Sequence, residues 1–215
     1  MNTNDNIRIV ERISRTALEE RLRRVPLKGS DPSNPTFIYA NAHISTREMH
    51  PEELNPTTFY ILRQQLELQR SLRDHLLRMG IDPLHLDGAV RLRNGTQEWT
   101  LTPPIVELTQ EDVHYEPSRG DLQYDSPHRI TIPIINDGAH RISLARELNE
   151  TVHCIVIRGV PYEHPFYAYP NSWKQVRIVD TVPPQDGKKL YRRTNNYDLY
   201  RDFGPLGFGS PRIVE

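Results

Sequence analysis

The chain has 215 residues, enough to bury a sizeable core as one domain with extensions or as two small ones. A formal net charge of −1, with 36% hydrophobic and 26% charged residues, describes an ordered water-soluble protein with no global field to hold DNA. One cysteine excludes a disulfide framework and a cysteine-rich zinc site, and no apolar run approaches the ~20 residues of a membrane span. The N-terminus, Met1-Asn-Thr-Asn-Asp-Asn, lacks a basic region followed by an apolar one, so a cytoplasmic location is expected.

Residues 1–88 read as an N-terminal helical extension. Ala17-Leu-Glu-Glu-Arg-Leu-Arg-Arg24 has a charged helical pattern that ends at Pro26 and Gly29, and its interspersed glutamates mark a solvated face. A strand is expected over Thr36 to Ala40. The strongest helical pattern runs from Pro56, with Asn55 as N-cap, to Met79, and Gly80 stops it. Phe59, Leu62, Leu66, Leu72 and Leu76 fall largely on one face, which serves either the core or a homodimer interface. His43, His50, His75 and His85 have no metal-site spacing, and no metal residues are assigned.

Residues 89–180 read as the core domain. Ala89–Arg93 and Gln97–Leu101 flank Asn94-Gly95, a hairpin signal. Thr102 to Leu108 is extended, and Thr109-Gln-Glu-Asp112 reads as a capped helical turn. The stretch from Pro117 to His128 reads as a loop able to cover a site. An alternating run with Ile130, Ile132, Ile134 and Ile135 then leads into Asn136-Asp-Gly-Ala-His-Arg-Ile-Ser-Leu-Ala145, of helical period as far as Asn149.

That strand–glycine–helix junction is the chain's clearest chemical signal. The first N–H groups of a helix have no intrahelical partner and lie at the positive end of its dipole, so they attract phosphate. Gly138 lets the backbone approach closely, and His140 and Arg141 add side-chain donors, the arginine as a fork matched to phosphate oxygens.

Three features follow the core. His164-Pro-Phe-Tyr-Ala-Tyr-Pro-Asn-Ser-Trp173 is aromatic enough either to stack on a base or to wrap the sheet. Residues 181–215 form an irregular C-terminal extension. In it, Lys188-Lys-Leu-Tyr-Arg-Arg193 suits a local phosphate or carboxylate contact, and the glycine- and proline-rich run Phe203 to Arg212 is expected to be extended.

Gly138-Ala139-His140-Arg141, with Ile142, Ala145 and the apolar strand Val152–Ile157, resembles the phosphate-binding motif of the ParB/sulfiredoxin superfamily. The resemblance covers about a quarter of the chain well and extends loosely from Thr100 to Asp180. It implies an α/β (α+β) fold with a small mixed sheet, and nucleotide binding through Gly138, Ala139, His140 and Arg141. Ala139 stands where sulfiredoxins carry their catalytic cysteine, and Cys154 lies in an apolar strand, so sulfinic-acid repair is excluded as a reading. No pair of helical periods after residue 162 supplies the helix-turn-helix of partition-type ParB proteins.

In organisation the chain is most like the superfamily's free-serine kinases, although their motif reads Asp-Gly-His-Thr-Arg and this one Asp-Gly-Ala-His-Arg. That type implies phosphoryl transfer from ATP or ADP, with CTP as a further option, to a metabolite hydroxyl in the presence of Mg²⁺. The superfamily's substrate-handling carboxylate lies upstream of the motif. Glu107 is the first candidate for it, with Glu111 and Asp112 behind, and Asp137 competes from beside the cradle. The alternative is a ParB-like nucleotide-gated DNA- or protein-binding module or nuclease, although near-neutral charge makes nucleic acid an unexpected partner.

Overall fold

The computed structural model describes residues 7–113 and 128–208. The fold is mixed α/β, organised around a four-stranded sheet. That sheet contains β2 (His43–Met49), β6 (Ile105–Val113), β7 (His128–Asp137) and β8 (Val152–Arg158), in the order β2-β8-β6-β7. A second sheet joins β1 (Arg8–Ile13), β4 (Ala89–Asn94) and β5 (Gln97–Leu101) in the order β1-β4-β5. A third, of two strands, pairs β3 (Tyr60–Leu62) with β9 (Arg177–Val179). Three helices, α1 (Arg15–Leu22), α2 (Arg63–Arg78) and α3 (Ala139–Leu148), cover these sheets.

β8 explains why the main sheet sits at the centre. Val152, Cys154, Ile155, Val156 and Ile157 are all 2% exposed or less, the near-continuous burial of a strand covered on both faces. On one face Ile142 and Ala145 of α3 pack with Val106, Ile135, Cys154 and Val156. On the other, Leu18 and Leu22 of α1 meet Ile44, Ile105, Ile155 and Ile157. β8 is parallel to β6 and antiparallel to β2, and β6 is antiparallel to β7. This arrangement brings the C-terminal end of β7, and the α3 that follows it, onto the sheet's core face. α2 then bridges the sheets. Leu72 and Leu76 pack on Val90, Leu92 and Trp99 of the hairpin sheet, and Leu66 reaches Leu144 of α3.

The β4–β5 hairpin forms around Asn94-Gly95, with Asn94 opposite Gln97, as its turn signal implies. Several other elements differ from the expectation. The segment expected as a helical extension, 1–88, carries strands as well as α1 and α2 in its described part, residues 7–88: β1, β3 and the edge strand β2 of the main sheet. Thr36 to Ala40 forms no strand beyond the single bridge of Phe37 to Pro26, because the backbone turns there, Ala40 N–H closing onto Phe37 O at 3.2 Å and Ala42 N–H onto Tyr39 O at 3.1 Å. The long helix begins at Arg63 rather than Pro56, since Asn55 is drawn into backbone pairing with β7, Asn55 N–H to Pro133 O and Ile135 N–H to Asn55 O, both 2.9 Å. Thr109–Asp112 is not a helical turn but the continuation of β6, held by pairing to Ile132, Thr131, Ile130 and Arg129. The expected covering loop from Pro117 falls outside the described residues up to its last residue, His128, which begins β7.

Candidate functional site

A cleft of about 990 Å³ opens where β7 gives way to α3. The turn needs Gly138: its φ of 87° and ψ of 19° lie in the left-handed region. A Cβ there would sit 2.9 Å from Pro104 Cβ and 3.0 Å from Pro104 Cα. Gly138→Ala is therefore expected to cost about 1–3 kcal/mol from backbone strain alone, read as a lower urea midpoint. An unchanged midpoint would mean that the turn relaxes freely.

Asn136, Asp137, Gly138, Ala139, His140 and Arg141 all line this cleft. The structure thus gathers the motif at one concave site together with Leu62 and Gln65 from the start of α2. Ile142 N–H closes the first helical bond of α3 to Gly138 O at 3.0 Å.

The two motif side chains do not act as expected. Arg141 is 4% exposed and makes protein contacts, donating from Nη1 to the Thr102 carbonyl and from Nη2 to Asp137 Oδ2 at 3.3 Å. It ties the end of β5 and the β7 carboxylate to α3, and burial lowers its pKa. His140 accepts the Leu62 N–H at Nε2, 3.3 Å away, which requires that nitrogen to be unprotonated. Burial lowers its pKa, with Asp137 opposing and Arg141 reinforcing the shift. His140 joins the starts of the two helices instead of presenting a charge to the cleft.

Asp137 keeps the position the sequence implied. Its side chain is 36% exposed, lines the cleft and accepts from Arg141 through Oδ2 alone among the described contacts. Asn136, beside it, donates from Nδ2 to Tyr39 Oη at 2.8 Å.

Glu107, the first candidate for the substrate-handling carboxylate, does not line the cleft and is enclosed by the protein's own groups. It is 0% exposed, accepts from Arg201 Nη2 at 2.6 Å and Nε at 3.0 Å, and takes the Tyr39 hydroxyl at 2.8 Å. Every recorded partner is the protein's own. Glu111 pairs with Arg192 and Asp112 with Arg129, so neither reserve carboxylate is in the cleft. The aromatic segment also stays outside it. Phe166, Tyr167 and Ala168 are buried with Ile134 and Leu199, and Trp173 donates to the Pro51 carbonyl at 2.9 Å.

Lys189, from the basic run expected to make a local phosphate or carboxylate contact, lines the cleft. Lys28, Thr57, Trp99, Tyr200, Phe203 and Phe208 line it too, and no spacing in the sequence pointed to them. Lys189 Nζ donates to Tyr167 Oη and to Thr57 Oγ1, the latter at 3.2 Å. Burial pushes its pKa down to about 8, with Tyr191 and Asp137 pulling the other way. Cys154, 0% exposed on β8, is pushed up to about 12 by burial and is no nucleophile.

No group of three or more His, Cys, Asp or Glu able to hold a metal occurs among the described residues. No helix among them is long and apolar enough to cross a membrane. Comparison with curated proteins and with solved structures gives no match. The family model of the ParB CE domain matches residues 17–178, a span that takes in α2, α3 and the whole described four-stranded sheet. With the β7–α3 junction inside that span, this chain belongs to the ParB CE domain family.

Proposed function

We propose that this protein binds a nucleotide, ATP or ADP with CTP as the further option, and transfers its terminal phosphoryl group to a hydroxyl of a small metabolite. The observation that carries the reading is the start of α3, entered through a left-handed Gly138 and open to a 990 Å³ cleft beside the carboxylate of Asp137. Backbone amides at a helix start bind phosphate, and a neighbouring carboxylate can orient a hydroxyl. The resemblance of the chain's organisation to free-serine kinases supports the same chemistry.

In this reading the α3 amides cradle the phosphates, and Arg141 fixes Asp137 rather than gripping the ligand. Asp137 orients the acceptor hydroxyl and takes its proton as the oxygen–phosphorus bond forms and the terminal bridging P–O bond breaks. The donors suit a Mg²⁺ that arrives with the nucleotide, since one or two oxygens are all such an ion asks of a protein. Asn136 and Asp137 would hold it, and its charge would offset that of the phosphates.

The test is phosphoryl transfer from ATP, ADP and CTP against a panel of hydroxyl metabolites, run beside a salt-dependent DNA gel shift. Transfer to one hydroxyl class with no DNA retention is the expected result. Nucleotide binding without turnover, or retention that weakens with salt, would replace the kinase by a nucleotide-gated binding module.

A further inference from the structure

The C-terminal segment that lines the cleft lies beyond the residues the family model matches. It is anchored on both sides. Lys28 N–H donates to Tyr200 O and Asp202 N–H to Pro26 O, both at 2.9 Å, and Thr100 N–H of β5 donates to Gly207 O at 2.9 Å. Between these seams Arg201 inserts into the core and pairs with Glu107 of β6. A segment pinned this firmly presents its remaining side chains in fixed places.

Two of those places face the cleft with different chemistry. Near the start of α3, Lys189 holds an ammonium whose recorded partners are neutral oxygens, those of Thr57 and Tyr167. Among the described residues no carboxylate lies within ion-pair distance of it. Asp137 acts on this ammonium only from beyond ion-pair distance, and a part-buried cation with no direct ion pair favours an anionic ligand. His140 and Arg141 have turned to protein partners, which leaves the anion end of the cleft in need of this charge. Where the segment meets β5 the wall is aromatic instead. Phe203 and Phe208 stack with centroids 6.2 Å apart, both half-buried, and Trp99, 8% exposed, also lines the cleft.

We propose that residues Lys189 to Phe208 form the ligand-selecting wall of the cleft. Lys189 binds the phosphate oxygens of a nucleotide, and the Phe203–Phe208 pair with Trp99 receives its planar base. This inference rests on the nucleotide reading above and adds to it which part of the chain selects the ligand. A charge-assisted contact accounts for the phosphate end, and base–aromatic stacking for the other.

Calorimetry on the full chain with two probes, ATP and the baseless tripolyphosphate, tests it. Lys189→Met is expected to weaken both probes by about tenfold or more. Phe208→Ala is expected to weaken ATP by about fivefold or more while leaving tripolyphosphate unchanged. Thermal melting checks that both variants fold, and Lys189→Gln replaces Lys189→Met if the latter does not. Wild-type binding with neither variant altered overturns the selecting wall and leaves the nucleotide reading standing. Failure of the wild-type chain to bind either probe overturns both. Equal loss of both probes in Phe208→Ala removes the aromatic half, since a base contact cannot be felt by a ligand that has no base.

Discussion

Glu107→Gln is expected to destabilise the protein by about 3–5 kcal/mol, measured by urea denaturation, with little change in the chemistry of the molecules that remain folded. Arg201 is 2% exposed and Glu107 0% exposed, so neither charge can turn to water when its partner is lost. The glutamine amide would also direct N–H donors at a guanidinium that can only donate. Arg201 would keep its bonds to the carbonyls of His164 at 2.8 Å, Pro165 at 3.0 Å and Leu199 at 2.5 Å, but without a counter-ion. Against a total stability of about 5–15 kcal/mol this is a large fraction. Removing both charges, Glu107→Gln with Arg201→Met, should cost less than the sum of the single changes, because the isolated buried ion is the main source of the loss. A variant as stable as the wild type but without turnover would restore to Glu107 the catalytic role that its upstream position suggested.

The contrast between Glu107 and Gly138 shows which features can be read from this sequence and which cannot. The β7–α3 junction is written in consecutive residues: an alternating apolar run, a glycine with φ of 87°, then a helix start. The hairpin at Asn94-Gly95 is equally local. Glu107 finds its partner 94 residues along the chain and Arg141 donates to a carbonyl 39 residues away, and no spacing rule encodes either contact. The same holds for Lys189, whose neighbour Thr57 is 132 residues distant. Local signals were also overridden. The capping pattern at Thr109–Asp112 yields to the ladder with β7, and the N-cap expected at Asn55 yields to backbone pairing with the same strand. β1 is hard to read because Glu11 takes an inward position between Ile9 and Ile13 and Val10 an outward one, which breaks the alternation at the bulge. The glycine turn into α3 is thus legible in consecutive residues, and most of the residues that share the cleft with it are not.

Asp137→Asn, in turn, should lower the rate of phosphoryl transfer by about 10²–10⁴ while leaving the fold in place. The amide oxygen can still accept the Arg141 Nη2–H at the present 3.3 Å, so the tie between β7 and α3 survives. The lost ion pair is more than a third exposed on the aspartate side, and such a pair contributes little to stability. What the amide cannot do is take a proton from an acceptor hydroxyl or offer a negative charge to Mg²⁺. Asp137 adjoins the phosphate cradle, so nucleotide affinity in the presence of Mg²⁺ should fall too, and affinity without the metal should hold or rise as a negative charge leaves the anion's surroundings. Turnover and affinity measured for this variant and for Glu107→Gln separate the two carboxylates by effect: one loses rate and keeps its fold, the other loses stability. Full turnover in Asp137→Asn would show that Asp137 is not the general base and that the acceptor's proton leaves by another route.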